Sequence, residues 1–181
     1  METTKNEMPS YAKQFFFKLG NYLDTKIYYY GSIQRADYFP KSSDIDVDIF
    51  TDTESSTITK IQSFLGVQRH EFKKFVYKLH KTSKIVYGRK IKYDDPINNF
   101  STEISIYNEK DKNEVLIEHN SKSVLPFYIS FMLIILKTLY YNFEILPKET
   151  YFYFKKLFMN YMVEGEDVEF VMTDIPEHKE E

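Results

Sequence analysis

The stretch YYYGSIQRADYFPKSSDIDVDIF, from Tyr28 to Phe50, decides how this 181-residue chain is interpreted. Asp44, Asp46 and Asp48 occupy every second position of its second half, with Ile and Val between them. A period of two predicts a β-strand with one acidic and one apolar face. Carboxylates on one face repel one another and raise each other's pKa unless a positive charge lies between them. A divalent cation, which prefers oxygen ligands, would relieve that repulsion.

Gly31 and Ser32 lie just upstream of the acidic strand, at the end of a β-rich run of tyrosines. A strand that ends in Gly-Ser and turns offers backbone N–H groups and a hydroxyl to a phosphate. For an isolated acidic strand, an exposed polar face is an equally good interpretation. The Gly-Ser bend favours a phosphate site instead.

These residues resemble the signature of the DNA polymerase beta-like nucleotidyltransferase superfamily, and especially its minimal nucleotidyltransferase domains. The signature stands here as Tyr30-Gly31-Ser32, a spacer from Ile33 to Ser43, and Asp44-Ile45-Asp46. The resemblance is specific over residues 26–50 and extends weakly to about residue 107. It implies transfer of a nucleoside monophosphate from an NTP.

Members of this superfamily carry a third carboxylate on a later strand, and Glu103 matches it by position. The stretch FSTEISIY, Phe100 to Tyr107, alternates as a strand should. Glu stands where the family more often has Asp. Asp94 and Asp95 are rivals, but the turn before Pro96 is a poor place for a rigid ligand.

The resemblance implies that Asp44, Asp46 and Glu103 are catalytic and bind metal. It also implies two Mg²⁺ or Mn²⁺ ions about 3.5 to 4 Å apart, with Glu103 accepting the proton of the attacking hydroxyl. The family's spacing also admits Asp46 and Asp48 as the metal pair. If Asp44 and Asp46 are the metal pair, Asp48 is either an auxiliary ligand or an acid that contacts the ligands without binding the metal.

Charge is unevenly distributed along a chain whose net charge is −3. Nine Lys or Arg and one acid lie between Gln68 and Lys92, whereas residues 164–181 hold eight acids and one Lys. Arg89 and Lys90 are predicted to bind nucleotide phosphate, together with Gly31 and Ser32. The same basic block could form a track for an RNA acceptor or a solvated surface. The acidic overall balance argues against tracking of a DNA duplex.

The pattern of elements predicts an α+β fold, a nucleotidyltransferase-like mixed β-sheet flanked by helices with a C-terminal helical part. We predict a nucleotidyltransferase-like domain over residues 1–118, packed helices over 119–163 and a flexible acidic tail over 164–181. Predicted helices cover residues 11–23, 53–65, 124–143 and 150–162, and predicted strands cover 26–31, 44–50, 84–93 and 100–107, with a strand favoured for the second half of 72–80.

The chain has no cysteine, which excludes disulfides and thiolate chemistry. Its start lacks a basic region leading into an apolar run, so we expect an intracellular, cytoplasmic protein. The uncharged run Phe127 to Leu136 is too short to cross a bilayer.

We therefore predict a metal-dependent nucleotidyltransferase whose substrate is an NTP and whose acceptor is a hydroxyl on protein, RNA or a small molecule. One alternative is a catalytically inactive nucleotide-binding or antitoxin-like module of the same fold. Another is an interaction domain, which an exposed apolar face on the C-terminal helices would favour.

Overall fold

The computed structural model describes residues 1–160 and 171–172. Its helices are α1 (Ser10–Leu23), α2 (Glu54–Leu65), α3 (Lys112–Ser121), α4 (Phe127–Lys137) and α5 (Lys148–Asn160). Its strands are β1 (Tyr28–Tyr30), β2 (Ile45–Thr51), β3 (Lys73–Lys78), β4 (Ile85–Asp95), β5 (Phe100–Asn108) and β6 (Val171–Met172). Short 3₁₀ turns lie at Gly31–Gln34, Arg69–Glu71 and Glu109–Asp111, and a π-helical turn at Thr138–Asn142 follows α4.

The strands form one mixed sheet in the order β1-β2-β5-β4-β3-β6. β2 and β5 run parallel, and the other neighbouring pairs are antiparallel. The predicted α+β class with a mixed, helix-flanked sheet is confirmed. The parallel pair β2 and β5 lies inside the sheet, so both of its strands have neighbours on each side.

One face of the sheet is apolar and packs on α1 and α2. Ile45, Val47 and Ile49 of β2 are buried there beside Ile104 and Ile106 of β5. Because side chains alternate along a strand, the residues between them must point to the opposite face. That opposite face receives Asp46, Asp48 and Glu103.

The acidic face is covered over part of its area by α3. Phe50 of β2, Tyr107 of β5 and Val115 of α3 belong to a second, smaller core on this side. Gly88 of β4 fits under this core because a Cβ there would approach the Phe75 ring to 2.5 Å. α3 thereby covers the end of the strands that lies away from Asp46.

A buried ion network joins the C-terminal helices to the loop before β2. Lys137 at the end of α4 contacts the Asp37 carboxylate at 2.9 Å, and Arg35 contacts the same carboxylate at 2.7 Å. Lys137 is 2% exposed and Asp37 is fully buried. Burial lowers the pKa of Lys137 to about 8. Burial alone would raise the pKa of Asp37, but the two cations Arg35 and Lys137 hold it below its ordinary value. Removal of one partner would leave a buried charge, which typically costs about 3–5 kcal/mol.

Most predicted elements are found within a few residues of their expected bounds. β1 is shorter than predicted, and β2 begins at Ile45, so Asp44 stands just before the strand. α3 was not predicted, since its sequence has little apolar periodicity, and the predicted helix over 124–143 is shorter and ends in the π-helical turn. The predicted boundary after residue 118 falls inside α3, and the division into parts stays a prediction. Of the predicted acidic tail, only residues 171–172 are described.

The outward sides of α4 and α5 expose apolar side chains. Phe127 is 85% exposed and Phe131 61%, and Tyr153 on α5 is 65% exposed. This is the feature that the interaction-domain alternative requires. Within the described residues, no helix is both long enough and apolar enough to span a bilayer.

Candidate active site

The Gly-Ser turn lies directly against the acidic strand. β1 ends at Tyr30, whose register partner on β2 is Asp46. Gly31 follows with a φ of +72°, and a Cβ built on it would lie 2.0 Å from Oδ2 of Asp46. Only glycine permits both this backbone conformation and this close approach. Ser32, the next residue, is buried in the 3₁₀ turn.

The carboxylates of Asp46 and Glu103 come from adjacent strands at one level. Asp46 on β2 is the register partner of Glu103 on β5, so their side chains leave the same face about 5 Å apart at the backbone. Burial, then the charge of Glu103 and the weaker charge of Asp44, raises the pKa of Asp46 to about 7. The site therefore holds negative charge that its surroundings do not fully compensate.

Two lysines of β4 pair with the outer carboxylates. Nζ of Lys90 lies 2.8 Å from Oε1 of Glu103, and Nζ of Lys92 lies 3.3 Å from Oδ2 of Asp44. Burial alone would lower the pKa of Lys92, but the charges of Asp44 and of neighbouring Asp94 raise it overall. Within the part of the chain that the structure describes, Asp46 makes no such ion pair.

Asp48 pairs with His119, a histidine that sequence patterns do not single out. Nδ1 of His119 on α3 lies 2.7 Å from Oδ2 of Asp48, and the His119 ring stacks on Tyr30 at 4.1 Å. Burial raises the pKa of Asp48, and His119 opposes that rise. This contact anchors α3 to both strands that carry the Gly-Ser turn and Asp46. The auxiliary metal role of Asp48 stays a prediction.

A pocket of about 230 Å³ opens between the Gly-Ser turn, the carboxylates and the C-terminal helices. It is lined by Gly31 and Ser32 of the turn and by the carboxylates of Asp44 and Asp46. Its basic lining residues are Arg35, Lys137 and Lys155, and its aromatic lining residues are Tyr141, Tyr151 and Phe152. Lys155 opposes the rise in the pKa of Asp46. The pocket is thus lined by acidic, basic and aromatic side chains together.

The structure does not bring Arg89 to this site. Arg89 is the register partner of Ile106, on the apolar face of the sheet, and its Nε lies 3.2 Å from Oε1 of Glu54 on α2. The predicted role of Arg89 in phosphate binding is therefore corrected, because a side chain on the far face cannot reach the pocket. Lys90 does lie on the acidic face, but at Glu103 and not at the Gly-Ser turn.

The cations that line the pocket were missed by sequence reasoning. Arg35 lies in the spacer and Lys155 on an amphipathic helix, where basic residues are common. Lys137 did carry a signal, because a lysine inside a run of apolar residues is rarely buried without a partner.

The rival acids Asp94 and Asp95, and the neighbouring Tyr93, have structural roles. Asp95 accepts a hydrogen bond from Tyr11 and Asp94 accepts one from Ser101. Tyr93 stacks on Phe15 with ring centroids 5.7 Å apart, in the apolar core.

The carboxylates of the site meet only the smaller of two requirements for a divalent metal. Among the described residues, no group of three or more acidic or histidine side chains is gathered closely enough to hold a metal ion. Mg²⁺ commonly takes one or two carboxylates, with water and substrate phosphate completing its shell. The neighbouring carboxylates of Asp46 and Glu103 meet this requirement of one or two carboxylates. The raised pKa of Asp46 indicates that a cation there would be stabilised by poorly compensated negative charge.

Comparison with known proteins bears on the family of the chain. A family model described as "Nucleotidyltransferase domain" matches residues 11–144. No curated protein matches the chain. A chain in the "structure of GLD-2/RNP-8 complex" is similar at 15% identity and a TM-score of 0.32, over 90% of this chain and 64% of that chain. This chain thus spans less than two thirds of that neighbour, and so low a TM-score carries no argument.

Because the family match covers well over half of the chain, the protein belongs to the nucleotidyltransferase domain family. The resemblance drawn from Gly31, Ser32, Asp44 and Asp46 is confirmed at this level. The general chemistry of the family is nucleotidyl transfer. The roles of individual residues, the metal and the acceptor are matters for proposal.

Substitution of Gly31 tests the contact with Asp46. Gly31→Ala adds both left-handed strain and a collision with the carboxylate, whereas Gly66→Ala adds similar strain at a φ of +70° with nothing within 4 Å of the new Cβ. We expect Gly66→Ala to lower the free energy of unfolding by about 1–2 kcal/mol. We expect Gly31→Ala to lower it by about 1–3 kcal/mol more. Urea unfolding and calorimetry measure these effects, and equal losses for the two variants would contradict the contact.

The raised pKa of Asp46 predicts how stability depends on pH. Between the ordinary value of 3.8 and the folded value of about 7, the folded protein binds more protons than the unfolded chain. The free energy of unfolding therefore falls as pH rises through this window. We expect metal-free Asp46→Asn to be more stable than wild type at about pH 8, and the difference to shrink toward about pH 4. Urea unfolding in a chelator, with exposed Asp52→Asn as control, measures it; a difference that is constant with pH would argue against the raised pKa.

Proposed function

We propose that this protein transfers a nucleoside monophosphate from an NTP to a hydroxyl acceptor. The acceptor oxygen attacks the α-phosphorus and forms a new P–O bond. The bond from that phosphorus to the bridging oxygen breaks, and pyrophosphate leaves in line. The hydroxyl proton passes to Glu103.

The observation that carries this proposal is the meeting of Asp46, Glu103 and Gly31 on one face. Asp46 and Glu103 are neighbours across β2 and β5, and Gly31 touches Asp46. Carboxylates beside a phosphate-accepting turn are what transfer of a phosphoryl-type group requires. Asp46 and Glu103 are more than fifty positions apart in the sequence, so it is the fold that brings them together.

A buried excess of positive charge supports triphosphate binding at the pocket. Among the residues that the structure describes, Arg35 and Lys137 share a single carboxylate, Asp37, so this buried group carries one positive charge in excess there. Lys155 adds another cation from α5. Uncompensated charge in a low-dielectric wall is costly unless an anion approaches it. The β- and γ-phosphates of an NTP are suitable anions.

Asp46 and Glu103, neighbours across β2 and β5, would hold Mg²⁺ or Mn²⁺, which would polarise the α-phosphate and neutralise the charge of the triphosphate. Asp46 would be the central ligand, since it lies between Gly31 and Glu103, and Asp44 stays a predicted third ligand. Ser32 donates its hydroxyl to a terminal phosphate at the bottom of the pocket. The rings of Tyr141 and Phe152 lie at the mouth, where a nucleoside would extend.

A second candidate function is nucleotide binding without turnover. The ion pairs Lys90–Glu103 and Lys92–Asp44 neutralise two of the three carboxylates, which is the observation that favours it. Such a protein would bind an NTP at the Gly-Ser turn and release no pyrophosphate.

Substitution of the carboxylates distinguishes the two functions. For an enzyme we expect Asp46→Asn and Glu103→Gln each to lower pyrophosphate release by about 10²- to 10⁴-fold, because each removes charge or a base at the reacting atoms. The control is Asp52→Asn, which changes an exposed acid just after β2 and should keep wild-type activity. Release is followed with each of the four NTPs and Mg²⁺ or Mn²⁺. NTP binding without pyrophosphate release from wild type would favour the second candidate.

Lys155 offers a test of the phosphate subsite with a matched neighbour. Lys155→Met should raise the KM for NTP about tenfold or more, since a charge-assisted contact is worth about 1.5–3 kcal/mol. Lys156, which does not line the pocket and is exposed, gives the control Lys156→Met with unchanged KM. Steady-state kinetics and thermal unfolding are measured for both. Equal KM values for the two variants would show that Lys155 does not contribute to NTP binding.

A further inference from the structure

The segment before α1 is hydrogen-bonded to β1 and to the turn that carries Gly31 and Ser32. Gln34, the last residue of that 3₁₀ turn, is fully buried and joins the two. Its Nε2 donates to the carbonyl of Thr3 at 2.7 Å and to that of Tyr29 at 3.2 Å. Its Oε1 accepts from the backbone N–H of residue 5, with N and O 3.1 Å apart. The side chain of Gln34 therefore ties the turn to residues 3 and 5 on one side and to β1 on the other.

Asn6 makes a second set of contacts with the backbone of the same turn. Its Nδ2 donates to the carbonyl of Ile33 at 2.9 Å and to that of Arg35 at 2.6 Å. Its backbone N–H donates to the Ile33 carbonyl as well, at 3.2 Å. A side-chain amide has two N–H donors, so Asn6 bridges the carbonyls on either side of Gln34. The stretch of chain that Asn6 holds in this way ends at Arg35 and follows directly on Ser32, and both of these residues line the pocket.

The turn needs these outside contacts because it is too short to fix its own position. It has four residues, Gly31–Gln34, and it begins with a glycine, whose backbone is the least restricted of all residues. One turn of 3₁₀ helix contains few hydrogen bonds of its own. Asn6 lines a groove of about 400 Å³ on another side of the turn, together with Gln34 and Arg35. An effect of Asn6 on a nucleotide in the pocket must therefore pass through the turn.

Resting on the proposed function, we infer that Asn6 and Gln34 are positioning residues, which hold the turn so that Ser32 and Arg35 meet the terminal phosphates of the NTP. Arg35 is held at both ends, its guanidinium by Asp37 and its carbonyl by Asn6. Hydrogen bonds weaken steeply with distance and angle, so a small shift of the turn weakens both phosphate contacts. These contacts exist before and during the reaction, so their loss raises KM and leaves kcat nearly unchanged.

Nucleotide binding by variants of the full chain tests this inference. Asn6→Ala removes both side-chain hydrogen bonds from a residue that is only partly buried, so this variant should fold. Gln34→Leu removes the three hydrogen bonds of a buried side chain and is the more severe change. Gly66→Ala lowers stability at the end of α2 and serves as the matched control for instability alone. Calorimetry with Mg²⁺ measures the affinity for ATP and for AMP, and steady-state pyrophosphate release measures KM and kcat. Thermal unfolding is recorded for every variant.

We expect Asn6→Ala to weaken ATP binding and to raise the KM for NTP about tenfold, because misplaced contacts lose most of their strength. The kcat should stay within about twofold of wild type, since the register of Asp46 and Glu103 does not involve the turn. AMP lacks the β- and γ-phosphates, so its affinity should not change. Where Gln34→Leu folds, it should weaken ATP binding at least as much. Gly66→Ala should keep the wild-type affinity for both nucleotides.

Three results would overturn the inference: an unchanged ATP affinity in Asn6→Ala, an equal loss of ATP and AMP affinity, or an equal loss in Asn6→Ala and Gly66→Ala. Pyrophosphate release by wild type, with an unchanged KM in Asn6→Ala, would reject the positioning role alone. Selective loss of ATP binding in Asn6→Ala, without pyrophosphate release by wild type, would reject the transferase proposal and keep the positioning role. Wild-type protein that binds no ATP would reject both.

Discussion

The parallel register of β2 and β5 is the constraint on which the rest of the site depends. It pairs Asp46 with Glu103, and a slip of one residue would send Glu103 into the apolar core and Ile104 into the site. The apolar residues between the acids fix this register, because Val47 and Ile104 are fully buried on the other face. The same alternation of side chains therefore places the apolar residues in the core and the acidic residues in the site. Gly31 then closes the site from the β1 side, since its backbone approaches Asp46 more closely than any other residue type would allow.

The second constraint is electrostatic and joins parts of the chain a hundred residues apart. Lys137 reaches Asp37 and so holds α4 against the loop that leads into β2. A buried ion pair contributes little net stability, but it specifies which group must lie where. Here it sets one wall of the pocket relative to the other. The segments that follow carry Lys155 and the aromatic residues of the pocket, so the shape of the proposed nucleotide site depends on this contact.

Sequence reasoning located the acidic strand, the Gly-Ser turn, the strand of Glu103 and most helices, because each of these rests on a local pattern. It failed where the answer depends on register or on contacts between distant residues. Arg89 and Lys90 are adjacent in sequence and indistinguishable by charge, yet the pairing of β4 with β5 puts Arg89 beside Ile106 on the far face and Lys90 at Glu103. α3 was missed because its apolar residues show no helical repeat. His119 lies on that helix, so its contact with Asp48 could not be foreseen either.

The distribution of charge explains how the fold tolerates four clustered acids. Asp44 and Glu103 each have a lysine from β4, and Asp48 has His119, whereas burial and then the charge of Glu103 raise the pKa of Asp46 to about 7. The residue at the centre of the proposed chemistry is thus the acid whose charge is least compensated.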